Sequence, residues 1–346
     1  MTKAAFPASI EYLYARVHAM RAETFHGESL QELANSDGLK ELSEEMKRHG
    51  IVAHNRESFA KAVQVRELEI LDKLRLQMPA YLERYYRAFM ERTRYRNIKT
   101  LLRYRYFKEN EETIRSLVIP LPFGESVDIT RALRAEALED FIAELHLGDD
   151  APEVEACVRP LMKNRDIIVA ESDLERLAYA KLLEAAGRLP LAIRKAAVEL
   201  VQQEIDIQNI CMLLRNARTT HWITERMARL WMPGGRFLSE TLLDSLVMAG
   251  DVREIIAGLP PVYQRQFSAV AVNDLPQVEH ALWKMLFTLA EKIHRGSSDL
   301  RMPLVAFPFL LHFESIDLSR LNECVYFGFN PREIADYLFG LTWTDH

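Results

Sequence analysis

The feature that most constrains the fold is a helical segment that occurs twice. The stretch YRNIKTLLRYR, Tyr95 to Arg105, aligns with IQNICMLLRNA, Ile207 to Ala217. The aligned residues are Asn97 with Asn209, Ile98 with Ile210, Leu101-Leu102 with Leu213-Leu214, and Arg103 with Arg215. A third copy, Asp317 to Phe329, has the same apolar rhythm without the Asn and the Arg, and its register is open by one residue. Such repetition predicts one helical unit used several times.

The residues around these copies also favour helix. Apolar residues recur every seven positions through the second copy, at Ile193, Leu200, Ile207 and Leu214. Helix breakers cluster at Val118–Ser126 and Met232–Phe237, and they divide the chain into residues 1–120, 121–235 and 236–346. In each part we predict a short helical hairpin, two long helices and a final short helix. The fold class predicted is all-α, with three pseudo-equivalent helical-bundle modules.

The last short helix has the clearest predicted start. Asn330 suits the N-cap, Pro331 the first helical position, and Glu333 the third. This pattern is typical of a capping box followed by a short amphipathic helix.

Composition excludes several classes of protein. The formal net charge is -6, which argues mildly against a nucleic-acid-binding protein. Cys157, Cys211 and Cys324 are far apart and odd in number, as in a protein of a reducing compartment. The amino-terminal residues lack the pattern of a signal peptide. The longest nearly continuous apolar run, Met302 to Leu311, contains two prolines and is too short to span a bilayer.

Catalytic motifs are absent from the sequence. There is no phosphate-binding G-x-x-x-x-G-K-[ST] loop, no H-E-x-x-H metal motif, and no nucleophile elbow. The histidines are scattered without ligand spacing. We therefore predict a protein without intrinsic enzyme activity, bound cofactor, metal site or direct ATP binding.

One basic run stands out, from Arg92 to Lys108, with seven basic residues and no acidic one. On a helix, four of the basic residues fall within about 60° of one another: Arg92, Arg96, Lys99 and Arg103. Tyr95 and Tyr106 fall in the neighbouring apolar arc, where core packing is the default interpretation. The stripe itself admits three interpretations: a solvated face, a docking surface for an acidic partner, or a nucleic-acid groove.

The repeated polar residues also leave alternatives open. Asn97 and Asn209 lie in the middle of helices, where Asn is locally unfavourable and needs hydrogen-bond partners if it is buried. They could bond to a neighbouring helix end or form a polar partner contact. For Arg103 and Arg215 the structural alternative is an ion pair with an acidic residue of the preceding hairpin.

Large apolar residues cluster at the Gly-Gly turn after the second copy. These residues are Trp222, Trp231, Met232 and Phe237. Aromatic and Met side chains near a loop are enriched at interfaces, but packing at a hinge between domains explains them as well. We favour hinge packing.

Four segments resemble the C subunit of the prokaryotic V/A-type rotary ATPases, which is related to the eukaryotic V-ATPase d subunit. YLYARVHAMRAETF, from Tyr12 to Phe25, is similar to the opening Tyr-x-x-Ala-Arg-Val-x-x-Met helix of that family. RYRNIKTLLRYR and EIDIQNICMLLRNAR resemble its paired Asn-Ile/Leu-x-x-Leu-Leu-Arg segments. FPFLLHFESIDLSRLNECVYFGFNPREIADYL resembles its carboxy-terminal segment. The third copy departs from the family, because Asp317 to Leu321 replaces the frequent Asn-Leu pair.

The resemblance implies a non-catalytic, funnel-shaped helical protein with a central cavity. In the family it joins the central-shaft subunits to the membrane proteolipid ring, on the cytoplasmic side of the membrane and peripheral to it. The residues we predict to bind partners are Arg92, Arg96, Lys99, Arg103, Asn97, Asn209 and Arg215. The alternative function is a helical-repeat scaffold or RNA-binding protein that uses the run from Arg92 to Lys108.

Overall fold

The structure is a computed structural model that describes residues 7–53, 55–108, 110–124, 127–164, 166–267, 270–271, 274–296 and 299–341. Within these ranges every regular element is a helix and no strand occurs. The all-α prediction is therefore confirmed.

The helices follow the predicted order. In sequence they are α1 (Ile10–Ala22), α2 (Glu28–Ala34), α3 (Leu39–Arg48), α4 (Arg56–Arg75), α5 (Ala80–Phe107), α6 (Glu111–Leu117), α7 (Ile129–Arg134), α8 (Leu138–Glu144), α9 (Ala151–Asn164), α10 (Ile167–Gly187), α11 (Leu191–Arg215), α12 (Thr224–Ala228), α13 (Glu240–Ala249), α14 (Val252–Gly258), α15 (Pro261–Gln264), α16 (Leu275–Arg295), α17 (Met302–Tyr326) and α18 (Pro331–Ala335). Short 3-10 helices occupy Gly148–Asp150 and Arg265–Phe267, and a π-helical turn, Asn216–Thr220, extends α11. The long pairs are α4–α5, α10–α11 and α16–α17; shorter helices precede each pair and one short helix follows it.

The second long helix of each pair ends in the same way. A left-handed residue follows it: Lys108 (φ 52°), His221 (φ 49°) or Gly328 (φ 73°). Two positions later comes the N-cap of the next short helix, which is Asn110, Ile223 or Asn330. Only Gly328 adopts this backbone without a Cβ penalty, so the first two copies build the same turn at a higher conformational cost.

The start of α18 confirms the predicted capping box. The Glu333 backbone N–H donates to Asn330 Oδ1 at 3.0 Å, and the Asn330 N–H donates to Glu333 Oε2 at 2.9 Å. Pro331 occupies the first helical position, as the sequence predicts.

A proline inside α17 explains the hydrogen bond of one buried tyrosine on α5, and a second tyrosine bonds beside it. Pro308 has no N–H, so the carbonyl of Leu304, four residues earlier, lacks its usual helical donor. The Tyr86 hydroxyl donates to that carbonyl oxygen at 2.8 Å, and the Tyr85 hydroxyl donates to the Val305 carbonyl oxygen at 3.2 Å. The Leu304 carbonyl, which has no helical donor, is thus satisfied by a side chain of another helix.

The chain forms two compact units. The first comprises Met1–Met90, Ile119–Phe123 and Phe287–His346, and the second comprises Glu91–Val118 and Gly124–Leu286. One hydrophobic core of the first unit is built from α2, α3, α4, α17 and α18. In the second unit, α5 packs with α6 to α10 around Tyr95, Leu102 and Phe141. The division into three modules remains a prediction.

Candidate functional site

The basic stripe of α5 faces glutamates within the second unit. At its buried end, Arg92 Nη2 donates to Glu204 Oε1 of α11 at 2.5 Å and to the Tyr179 hydroxyl oxygen of α10 at 2.9 Å. The Tyr179 hydroxyl in turn donates to Glu204 Oε1 at 2.8 Å. Burial disfavours the charge on Arg92, but the Glu204 carboxylate outweighs it and raises the pKa of Arg92 above its ordinary value. Arg92 and Glu204 occupy aligned positions of the first and second copies, and here they pair with each other.

The rest of the stripe pairs with α10. Lys99 forms an ion pair with Glu175. Arg103 binds Glu171 through two bonds, Nε to Oε1 at 2.5 Å and Nη2 to Oε2 at 2.9 Å. The interpretation of the stripe as a simple solvated face is therefore wrong for Arg92 and Lys99. Arg103 keeps 57% of its side chain exposed.

The remaining predicted residues of α5 differ in burial. Arg96 is half-buried, and Asn97 is buried. Tyr95 is buried as predicted, but Tyr106 is 40% exposed because it lies in the last turn of α5, beyond most of the core. The prediction of core packing is thus confirmed for Tyr95 and wrong for Tyr106.

Arg215 repeats the arrangement of Arg103. Its Nε and Nη2 atoms donate to the two carboxylate oxygens of Glu279, each at 2.6 Å. In both cases the arginine lies at or near the end of the second long helix of a pair, and the glutamate lies in the first turns of the next long helix, α10 or α16. The structural alternative placed the acidic partner in the preceding hairpin, which is wrong. A following helix supplies it, and we call each such contact a helix-end ion pair.

A third helix-end ion pair lies in the first unit with its charges reversed. Glu323, near the end of α17, has Oε1 3.5 Å from Nε of Arg56, the first residue of α4. The Arg56 guanidinium also lies 4.3 Å from the centroid of the Tyr326 ring. The third copy therefore has an ion pair at the same end of its long helix, but one turn before the position of Arg215, which Tyr326 occupies.

Asn209 is a buried structural residue. Its Nδ2 donates to the Met232 carbonyl oxygen at 2.8 Å, and the Met232 N–H donates to its Oδ1 at 2.9 Å. Both bonds go to the turn after α12, which agrees with the structural alternative for this residue. In the third copy, Arg320 Nη1 makes the matching donation, to the Tyr337 carbonyl oxygen at 2.8 Å.

Sequence reasoning missed a buried aspartate three positions before Asn209. Asp206 accepts hydrogen bonds from the backbone N–H groups of Arg236 (3.0 Å) and Phe237 (2.8 Å) and from the Tyr263 hydroxyl (2.7 Å). Burial raises the pKa of this carboxyl above its usual range, while the Tyr263 and backbone donors oppose the increase. A Cβ on Gly235 would lie 2.0 Å from Asp206 Oδ1, so only glycine fits there. We call this arrangement the Asp206 turn.

The third copy contains the same arrangement, which we call the Asp317 turn. Asp317 accepts from the backbone N–H groups of Phe339 and Gly340, both at 2.7 Å. A Cβ on Gly340 would lie 3.2 Å from Asp317 Oδ2. Aligning Asp317 with Asp206 sets the register of the third copy. The signal available in the sequence was an aspartate three residues before the repeated Asn position, followed by a glycine after the next short helix.

The apolar residues near the Gly-Gly turn fall into two groups. Trp231 and Met232 are buried, and Trp231 Nε1 donates to Asp244 Oδ1 at 2.8 Å, which agrees with the packing interpretation. Phe237 is partly exposed beneath the Arg236 guanidinium. Trp222 is half-buried beside the guanidinium of Arg226.

The described part of the chain holds no group of three His, Cys, Asp or Glu residues arranged to bind a metal. The charged residues of the predicted site chiefly form ion pairs between helices. Such pairs can fix the distance and orientation of two helices, and those at helix ends can also present charged groups to a partner.

Comparison with known proteins decides the family. The model of the ATP synthase (C/AC39) subunit family matches residues 13–337. The chain belongs to this family. The resemblance to the C subunit of the V/A-type ATPases is thereby confirmed, and family membership makes the chain a structural, non-catalytic subunit of such an ATPase.

Several similar proteins are, by name, C subunits of A-type ATP synthases. The protein from Thermococcus gammatolerans is 28% identical over 340 residues, which are 94% of this chain and 89% of the relative. The protein from Methanosphaera stadtmanae is 22% identical over 269 residues, 77% of this chain and 68% of the relative. The protein from Pyrococcus horikoshii is 23% identical over 250 residues, 70% of this chain and 65% of the relative.

The family match includes every predicted partner-binding residue, from Arg92 to Arg215. Among the residues that the structure describes, no helix combines the length and apolar character needed to cross a membrane. The roles of the individual residues toward partners stay predictions.

Proposed function

We propose that the chain is the rotor adaptor of a V/A-type ATPase. In this role it joins the central shaft to the membrane proteolipid ring, from the cytoplasmic side, and transmits torque without binding ATP. Family membership supports the assignment to the complex. The names of its relatives, which are C subunits of A-type ATP synthases, agree with it.

The helix-end ion pair carries the proposal, because it occurs three times in the described residues. Arg103–Glu171 joins predicted modules one and two, and Arg215–Glu279 joins modules two and three. Arg56–Glu323 joins residues of modules one and three. This order supports three pseudo-equivalent modules, residues 1–120, 121–235 and 236–346; that they form a funnel with a central cavity is our proposal from the family resemblance.

Torque transmission requires a subunit that deforms little under load. The Arg92–Glu204–Tyr179 network ties α5 to α10 and α11 inside the second unit, where a low dielectric strengthens charge pairing. Removing one partner of such a buried pair is costly, so the network resists separation of these helices. We propose that Arg92, Lys99 and Asn209 serve this stiffness.

We propose a different role for the more exposed predicted residues. Arg103 and Arg215 keep 57% and 61% of their side chains exposed while each binds a glutamate. With Arg96, they would present the polar surface that receives the shaft. The same pairing argues against an RNA groove, because glutamates already neutralise most of the basic stripe.

Capture of purified partners tests the function. The tagged full-length chain is incubated separately with the shaft subunits, the detergent-solubilised proteolipid ring, and RNA. We expect retention of the shaft and the ring. Retention of RNA alone, lost steeply as salt increases, would overturn the rotor proposal.

Charge reversal tests the docking residues. The double variant Arg96→Glu/Arg103→Glu should bind the shaft about tenfold more weakly, which is the usual effect of reversing a few charges at an interface. Arg253→Glu, an exposed arginine on α14, is the matched control and should bind as wild type does. Circular dichroism confirms that the variants are folded. Equal shaft affinity of all three proteins would remove these two arginines from the interface.

A further inference from the structure

Two histidines meet in the interior of the first unit, away from the helix-end ion pairs. The ring centroids of His18 on α1 and His294 on α16 lie 4.7 Å apart. His294 is only 5% exposed, and Nε2 of both rings is buried with no hydrogen-bond partner among the described residues. A neutral imidazole tolerates an unpartnered ring nitrogen far better than a buried imidazolium tolerates an unpartnered N–H.

The charged groups around the pair are chiefly cationic. Arg21 of α1 donates to Glu291 Oε1 at 2.6 Å, and Arg295 of α16 pairs with the other oxygen of the same carboxylate. Further groups nearby are Tyr14 against the His18 ring, His26 after α1, and Glu314 of α17, which accepts from Arg66 Nη1 at 3.1 Å and from the Phe25 N–H at 2.8 Å. Both carboxylates are thus already bound by arginines, so a protonated histidine would add uncompensated positive charge.

The packed form therefore resists protonation. Burial, together with the neighbouring His18 and Arg21, lowers the pKa of His294 to about 4. Burial and Arg21 also lower the pKa of His26. A histidine released to water has a pKa of about 6.5. Between these two pKa values the packed form binds fewer protons than the open form. The contribution of His294 to the stability of the packed form is therefore fully present above about pH 6.5, and it is lost as the pH falls toward 4.

We propose that His18 and His294 form an acid-sensitive latch, which holds α1 against α16 at neutral pH and releases α1 on acidification. The latch lies within the first unit and does not depend on the rotor role. It would make the packing of the amino-terminal helix respond to local proton concentration.

Hydrogen–deuterium exchange of the full-length chain measures the latch directly. Protection factors of the α1 amides correct for the effect of pH on intrinsic exchange. In the wild type they should fall about tenfold per pH unit between pH 6 and pH 5, the slope for uptake of one proton on opening. Amides of α11, in the second unit, should keep their protection. Unchanged protection of α1 between pH 7 and pH 5 would overturn the proposal.

His294→Phe replaces the titrating ring with a neutral aromatic ring and should remove the pH slope. His49→Phe is the matched control, because His49 is an exposed histidine of the same unit. It should keep the wild-type slope. A slope in His294→Phe equal to that of the wild type would also overturn the latch. If this variant does not fold, NMR titration of His294 in the wild type decides: a midpoint near 4 supports the latch, and one near 6.5 with α1 still protected excludes it.

Discussion

The Asp206 turn and the Asp317 turn perform the same local task with different surroundings. In both, an aspartate of a long helix accepts backbone N–H groups of the segment that follows the next short helix, beside a glycine. Asp206 gains a further donor from the Tyr263 hydroxyl, and its glycine position leaves no room for a Cβ. Asp317 is bound by two close backbone donors, and its glycine position is looser. Both copies therefore keep the carboxylate and the glycine, while tertiary packing determines how much each contributes to the stability of the fold.

The largest difference should follow from removing the carboxylates. Asp206→Ala leaves three backbone N–H groups, those of Arg236, Phe237 and Leu238, and one hydroxyl without their acceptor, and should lower the free energy of unfolding by about 4 kcal/mol. Asp317→Ala should lower it by about 2 kcal/mol, because two backbone N–H groups lose their acceptor. Urea denaturation followed by circular dichroism measures both. Equal losses would show that the Tyr263 donor contributes nothing to the difference.

The glycine positions provide the next test. Gly235→Ala places a methyl group 2.0 Å from Asp206 Oδ1, so the turn must move, at a cost of about 3 kcal/mol. Gly340→Ala meets Asp317 Oδ2 at 3.2 Å and should cost less than about 1 kcal/mol, because a small shift relieves the contact. The two variants are compared by thermal unfolding. A larger loss in Gly340→Ala would contradict the assigned tightness of the two turns.

A smaller effect is expected for the matching hydrogen bond that Asn209 makes in the second copy and Arg320 makes in the third. Asn209→Ala removes two bonds to the buried Met232 backbone and should cost about 2 kcal/mol. Arg320→Ala removes a bond to the Tyr337 carbonyl oxygen from a half-buried side chain, and should cost about 0.5 kcal/mol. The same denaturation measurement applies. If both variants lost the same stability, burial would not govern the contribution of this bond.

The Tyr263 hydroxyl provides the last test. Tyr263→Phe removes one donor to Asp206 while three backbone donors remain, so we expect a loss of about 1.5 kcal/mol, as for a hydrogen bond to a charged group. In Asp206→Ala the same change should cost much less, because its acceptor is already gone. Additive losses in the double variant would contradict direct coupling between the two side chains.

The helical elements were predictable because their signals are local. Apolar spacing through α11 and the Asn330–Glu333 capping box lie within a few residues of the structures that they specify. Such local patterns can be recognised in the sequence without knowing which distant residues pack against the helix. The same spacing correctly predicted that Tyr95 is buried. It wrongly predicted Tyr106 in the core, because the core ends before the last turn of α5.

The charge partners were not predictable in the same way. Arg103 and Glu171 are 68 residues apart, and Arg215 and Glu279 are 64 apart. Many exposed glutamates of the chain could have served either arginine, and no periodicity selects among them. The preceding hairpin was the wrong choice because the following long helix, rather than the hairpin, packs beside each helix end.

The sequence by itself determined the helical class, the repeated order of short and long helices, and the positions that recur between copies, since each depends on residues close together along the chain. Only the tertiary structure decided which charges meet. It converted the basic stripe of α5 into ion pairs, because α10 and α11 bring Glu171, Glu175 and Glu204 against it. It also revealed the Asp206 and Asp317 turns, since a buried carboxylate must bind whatever donors the fold places around it.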